Sequence, residues 1–235
     1  MAMKLSVIVP VYNEAQTVSE VIDRIRLVDI GDIEKEIIIA NDGSEDDTRR
    51  VIDESTSRGD RRVHVHESPI NLGKGAAIRL GLKYASGDVI LIQDADLELN
   101  PNEYSALLAP ILQGRTDVVY GSRFLERRNA IPFRTRAANR FLTFVTNLLY
   151  GGRLTDMGTG YKVFRREALS GIRLRAVGFD IEAEITAKLL RKGRRILEVP
   201  IGYHPRRIDE GKKVRVIDGF DALYVLIKCR LTRSG

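Results

Sequence analysis

Short apolar runs alternate with stretches of helical spacing along the first 120 positions. Residues 5–11 (Leu-Ser-Val-Ile-Val-Pro-Val) predict a β-branched strand, and over 15–27 Val18, Val21, Ile22 and Ile25 share one helical face. Residues 36–40 predict a second strand. Asp42-Gly43-Ser44 then reads as a turn, with Ser44 and Asp47 as a helix-start box. A third strand is expected over 62–67, and Asn71-Leu-Gly-Lys-Gly75 opens a helix running to about Ala85. The apolar run 89–92 is a fourth, buried strand, Pro101 starts another helix, and 117–121 is a fifth strand. Repeated βα units of this kind predict an α/β fold: a doubly wound, mainly parallel sheet with helices on both faces. Ligands in such sheets bind beyond the carboxyl ends of the strands. Tyr12-Asn13-Glu14, Asp42, Asn71 and the pair Asp94/Asp96 all fall at those ends.

The second half is less regular. Residues 123–140 read as an arginine-rich connection containing Asn129 and Pro132, followed by an apolar helical stretch over 141–150. Asp156-Met-Gly-Thr-Gly160 is a turn before a strand at 161–164. A helix is expected over 179–191, a strand over 196–201, a basic loop over 206–213 and an amphipathic helix over 217–231. The expected organisation is one domain, 1–235. It comprises a regular βα half (1–122), a less regular second half (123–215) and a C-terminal amphipathic helix (216–235).

Composition narrows the picture. The content is 43% hydrophobic and 30% charged, that of an ordinary globular chain, and no apolar stretch approaches the ~20 residues of a membrane span. The N-terminus runs directly into a strand and carries no signal-peptide pattern. The single cysteine, Cys229, excludes an intramolecular disulfide framework, fits a reducing compartment and reads as a structural thiol. A net charge of +6 implies an anionic partner. Arg and Lys crowd after Arg115, whereas acidic motifs mark the strand ends, and aromatic–basic interleaving of the RNA-recognition kind is missing. Nucleic acid is therefore not the expected partner.

The chemistry centres on Asp94-Ala95-Asp96. Residues two apart at a strand end face the same way, so both carboxylates meet one ligand, and a hard divalent cation relieves their repulsion. Such a cation keeps positions open for phosphates, which points to nucleotide chemistry. Asp42 reads either as a turn-stabilising carboxylate or, from its place at a strand end, as a contact to a base or ribose. Asn71-Leu-Gly-Lys-Gly75 lacks the spacing of an ATPase phosphate loop, leaving Lys74 open between helix-start packing and nucleotide contact. His64, His66 and His204 lack the convergence of a zinc site and read as strand-face and loop residues.

Pro10-Val-Tyr-Asn-Glu14, Asn41-Asp-Gly-Ser44, Asn71-Leu-Gly-Lys-Gly-Ala-Ala77, Asp94-Ala-Asp-Leu-Glu98 and Gly121-Ser-Arg-Phe124 occur in sequence order. Asp156-Met-Gly-Thr-Gly-Tyr-Lys162, Gly178-Phe-Asp-Ile-Glu182, Glu198-Val-Pro-Ile201 and Tyr203-His-Pro-Arg206 follow. The series covers nearly the whole chain. It resembles the inverting family 2 glycosyltransferases with the GT-A fold, and among them the dolichyl- and polyprenyl-phosphate sugar synthases, including the dolichol-phosphate mannosyltransferase group. The resemblance implies that Pro10, Tyr12, Glu14 and Asp42, with Lys74 and Ala95, hold the nucleotide. It implies that Asp94 and Asp96 meet the ribose and a Mg²⁺ or Mn²⁺ on the diphosphate, with Glu98 as a third metal ligand where the family often has Gln. Arg123, Arg134, Arg136, Arg206 and Lys213 resemble groups that bind the donor diphosphate or the acceptor phosphate. Lys212-Lys213 stands where the family commonly has Ser-Lys.

The activity so implied is transfer of a hexose from GDP-mannose or a UDP-sugar to polyprenyl or dolichyl phosphate, with Asp94, Asp96, Arg123 and Asp180 as catalytic residues. A phosphate acceptor is already ionised and needs no general base; a hydroxyl acceptor, a glycan or small metabolite, would need one. Asp180 or Glu182 is the candidate for that base, weighed against a structural or sugar-binding role, with Glu184 and Lys188 as an ordinary i,i+4 pair. The other alternative is a non-catalytic nucleotide-sugar-binding subunit of a membrane complex. The arginines of 134–140, with Phe141, Leu142, Phe144, Val145 and Leu148, and the terminal helix predict peripheral contact with the cytoplasmic face of a membrane. A membrane partner subunit or a homo-oligomer is also compatible with these surfaces. Base, sugar, metal and oligomeric state are not legible.

Overall fold

The computed structural model describes residues 3–56, 59–126, 129–206 and 216–232. Fully apolar β-branched runs suit strands covered on both faces, and these runs build a seven-stranded sheet. Its strands are β1 (Lys4–Val11), β2 (Glu34–Asp42), β3 (Val63–Ser68), β4 (Val89–Ile92), β5 (Val118–Ser122), β6 (Lys162–Arg165) and β7 (Ile196–Pro200). The spatial order is β3-β2-β1-β4-β6-β5-β7. All pairings are parallel except those of β6, which runs antiparallel to both β4 and β5. That inversion puts the start of β6, at Lys162, on the same edge as the ends of β1, β2 and β4.

Strand alternation assigns side chains to two layers. Leu5, Val7 and Val9 face α1 (Val18–Leu27) and α4 (Tyr104–Leu112), together with Val21, Ile22, Ile25 and Leu107. Ile8, Ile38, Ile90 and Ile92 face α3 (Lys74–Tyr84) and α6 (Ile181–Arg191), with Ile78, Ile181 and Ile185. Gly81 lets α3 lie close on β1, because a Cβ there would strike Ile8. A third cluster joins α5 (Phe133–Tyr150), α6 and α7 (Val216–Leu231) through Met157, Ala183, Ala187, Ala222 and Leu226.

Two expectations are corrected. Residues 133–140 are not a connection but the first turns of α5. Pro132 stands at its N-cap, where a missing N–H costs nothing, and Gly151 ends it in a left-handed conformation (φ 67°). Ser44 and Asp47 do not form a helix-start box. The Ser44 hydroxyl donates to Asn41 Oδ1 and accepts from the Asn13 amide, tying two strand ends together. Helix α2 (Thr48–Thr56) is capped by Asp46, whose Oδ1 accepts from the Thr48 amide at 3.0 Å.

At the opposite edge, buried Glu36 accepts from Ser6 Oγ and from the Ser86 amide and hydroxyl, and pairs with Lys4 at 2.6 Å. Burial opposes its ionisation, yet the Lys4 ammonium and the Ser6 and Ser86 hydrogen bonds outweigh that and lower its pKa from 4.5 to about 2. A depressed carboxylate stabilises the fold above its unfolded pKa and loses that contribution as pH falls through the folded value. Glu36 therefore contributes on the order of 3 kcal/mol at neutral pH, lost between about pH 5 and pH 2. Urea unfolding of Glu36→Gln should show reduced stability at pH 7 and a flatter profile across that window. A parallel shift at all pH values would contradict this assignment.

Candidate active site

The loops at the shared edge enclose a cavity of about 1020 Å³. Its first wall is the end of β1. Asn13 adopts a left-handed conformation (φ 47°), which Asn tolerates better than most residues, and its side-chain Oδ1 accepts from the Glu45 amide at 2.8 Å. The turn so formed presents Pro10, Tyr12 and Glu14 to the cavity. Asp42, at the end of β2, also lines it, but its carboxylate is engaged by backbone. The Leu72 amide lies 3.1 Å from both oxygens and the Gly73 amide 2.6 Å from Oδ2. Asp42 thus holds the Asn71-Leu-Gly73 turn from which α3 starts. Gly73 (φ 106°) is packed against the Val177 carbonyl, where a Cβ would not fit.

The second wall is the Asp94-Ala95-Asp96 turn, fixed from beneath by a residue the sequence did not single out. Gln93 is fully buried; its Oε1 accepts from Tyr104 Oη at 2.9 Å and from Tyr161 Oη at 2.7 Å, while its amide nitrogen donates to Asp94 O. Thr17 Oγ1 donates to the Ala95 carbonyl at 2.8 Å. The glycine of the 156–160 turn is equally specific, because a Cβ on Gly160 would run into Asp94 Oδ2.

The two aspartates are not bare. Lys74 Nζ lies 2.7 Å from Asp94 Oδ1 and 3.1 Å from Glu182 Oε1, and Glu182 also pairs with Lys162. Lys162 is fully buried at the start of β6; burial lowers its pKa, opposed by Glu182. For Lys74, burial works downward too, but Asp94 and Glu182 outweigh it and hold the ammonium above its ordinary pKa. Arg206 grips Glu14 with both terminal nitrogens (2.9 and 3.1 Å) and reaches Asp96 Oδ2 at 2.9 Å. Even so, burial, then Asp94 and Glu98, push Asp96 up to about 7 against the pull of Arg206. A hard oxygen donor set with this excess of negative charge suits a divalent cation, so the residues fit the metal that the sequence implies.

Arg123 also lines the cavity, but its guanidinium is fixed by buried Asp156, with Nε to Oδ2 at 2.7 Å and Nη2 to Oδ1 at 2.8 Å. Arg134 and Asn139 of α5 line the far side. Arg136 is exposed on α5 and lies outside the lining. Asp180 is also outside it, accepting from the Gly178 amide at 3.0 Å where α6 begins. The Glu184–Lys188 pair forms as expected at 2.6 Å. Lys213, with Arg207 and Lys212, lies outside the described residues.

The fold is that of the GT-A glycosyltransferases. Residues 6–173 match the model of glycosyl transferase family 2, and the chain belongs to that family. It is 31% identical to dolichol-phosphate mannosyltransferase of Pyrococcus furiosus, over 89% of this chain and 59% of that one. It is 30% identical to polyprenol monophosphomannose synthase of Mycolicibacterium smegmatis, over 88% of this chain and 79% of the relative. Several relatives are longer, and the chain spans less than two thirds of their length. Glucosyl-3-phosphoglycerate synthase from Mycobacterium tuberculosis, solved with Mn²⁺, uridine diphosphate and phosphoglyceric acid, shares the fold. Its TM-score is 0.74 at 23% identity, covering 98% of this chain and 80% of that one.

Proposed function

We propose that this glycosyltransferase moves one hexose from a nucleoside diphosphate sugar, of GDP or UDP, to a polyprenyl or dolichyl phosphate at a membrane surface. The observation that carries the acceptor is the shape of the cavity's far end. There the acidic edge continues into an apolar floor of Leu142, Met157, Ala183, Ile217 and Ala222 between α5 and α7. Both helices also leave an apolar stripe in solvent: Phe133, Phe141, Phe144 and Leu148 on α5, and Ile217, Phe220, Tyr224, Ile227 and Leu231 on α7. Arg134, Arg136 and Arg140 accompany the first stripe and Lys228 and Arg230 the second, which is the pattern of an interfacial element. No described helix is long and apolar enough to cross a membrane. The lipid-phosphate chemistry in the names of the two mannosyl-transferring relatives supports the same reading.

In this reading Pro10, Tyr12, Glu14 and Asp42 form the wall for the nucleoside. Asp94 and Asp96 would hold Mg²⁺ or Mn²⁺, which stabilises charge on the departing diphosphate when bound. Arg206 and Arg134, which both line the cavity, would supply cations for donor and acceptor phosphates. The engagement of both candidate bases favours an acceptor that is already ionised. Glu182 is ion-paired to two lysines, and Asp180 serves a backbone amide outside the cavity. Flotation with vesicles containing anionic lipid tests the membrane contact. Replacing Phe144 and Leu148 together with Glu should lower binding at least tenfold, since each removes an exposed apolar side chain that would enter the lipid and adds a repelled charge. Equal binding by the variant would remove the support that these stripes give.

A further inference from the structure

Glu98 follows the Asp94-Ala95-Asp96 turn, where a third oxygen ligand for the cation is expected, and lines the same cavity, while its side chain also holds a neighbouring segment. Oε1 accepts from the Arg206 amide at 2.7 Å, Oε2 accepts from Tyr203 Oη at 3.0 Å, and the Glu98 carbonyl accepts from the His204 amide at 3.0 Å. One residue thus binds three groups within four consecutive positions. The same segment is held from two other sides. Asn129 Nδ2 donates to Ile201 O and its Oδ1 accepts from the Tyr203 amide, while Glu103 Oε1 accepts from the Gly202 amide at 2.6 Å. Among the described residues no three Asp, Glu, His or Cys side chains converge into a metal cage.

We infer that Glu98 is a positioning residue: it latches the 203–206 segment to the aspartate turn and so sets Arg206 between Glu14 and Asp96. The inference rests on the proposed role of that edge as the donor-diphosphate site. Its physical basis is the acceptor count. A carboxylate offers only acceptors, and it meets here an N–H and an O–H that both donate. A glutamine would keep the Arg206 amide on its carbonyl oxygen and turn its NH₂ toward the Tyr203 oxygen, so Gln replaces Glu in this role with little loss. The latch also seats the Tyr203 ring 5.2 Å from the Arg123 guanidinium, connecting the segment to the Arg123–Asp156 pair.

Glu98→Ala and Glu98→Gln test this without turnover. Hydrogen–deuterium exchange reads the amides of Tyr203, His204 and Arg206 directly. Exchange should speed at least tenfold in Glu98→Ala and stay within about threefold of the parent in Glu98→Gln, while amides of β1 and β4 report that both variants are folded. Manganese binding, followed by electron paramagnetic resonance with Mn²⁺ alone, tests the metal assignment of Asp94 and Asp96 separately. Unchanged exchange in a folded Glu98→Ala protein overturns the latch. If the parent protein binds no Mn²⁺, the metal assignment of Asp94 and Asp96 fails, and the latch is judged on exchange alone.

Discussion

Asp96→Asn should abolish sugar transfer, by about a thousandfold or more, while making the metal-free protein more stable. The first effect follows from loss of a charged oxygen donor at the proposed diphosphate site, an interaction of several kcal/mol at 1.36 kcal/mol per tenfold. The second follows from the sign of the shift. Burial and the neighbouring Asp94 and Glu98 raise the Asp96 pKa to about 7. A group raised on folding contributes stability below its unfolded pKa and loses it as pH rises through the folded value. The parent, metal-free, should therefore become less stable between about pH 4 and pH 7 through this residue. The variant should lack that decline and gain about 2–4 kcal/mol at pH 8, reduced by whatever the Arg206 contact contributes. Thermal unfolding at several pH values beside an activity assay checks both halves. An active variant, or one destabilised at pH 8, would contradict the account of this edge.

Glu182→Ala carries the second large effect, this time on the fold. Among the described residues, removing the carboxylate leaves the fully buried Lys162 ammonium with the Met157 and Thr159 carbonyls as acceptors, and strips Lys74 of one of two counterions. Breaking a buried pair from one side costs about 3–5 kcal/mol, whereas replacing both partners with apolar groups is often neutral. Glu182→Ala should thus show that loss in urea unfolding, and adding Lys162→Met should recover most of it. Equal instability of the single and double variants would mean that the ion pair is not what Glu182 supplies.

The contrast between these residues and Asp94/Asp96 shows what sequence carries here. Strand ends are legible because apolar runs stop at them, so Tyr12, Asp42 and the aspartate turn could be placed on one edge before any coordinates. The inversion of β6 was not legible. Nothing in a four-residue strand records its direction, yet that direction brings Gly160 against Asp94 and Lys162 toward Glu182. Long-range pairings were hidden for the same reason: Arg123 reads as a free cation until Asp156 is folded onto it. The first turns of helix α5 resemble a loop in sequence because of Pro132 and a density of arginines, while helices accept Pro at their start and exposed arginines along their outer faces. Asp42 retained two readings, and the structure shows its carboxylate on backbone amides within the cavity wall.

The surface stripes and the charged edge meet in one claim: a sugar bound as a nucleoside diphosphate is transferred to a lipid phosphate. The most direct measurement supplies the purified protein with Mg²⁺ or Mn²⁺, GDP- or UDP-hexose labelled in the sugar, and short polyprenyl phosphate in vesicles, then partitions the products between organic solvent and water. The account predicts label in the organic phase from one of the two nucleotide classes, dependent on the polyprenyl phosphate and lost with Asp96→Asn. Label found only on water-soluble acceptors, with the organic phase blank, would contradict it.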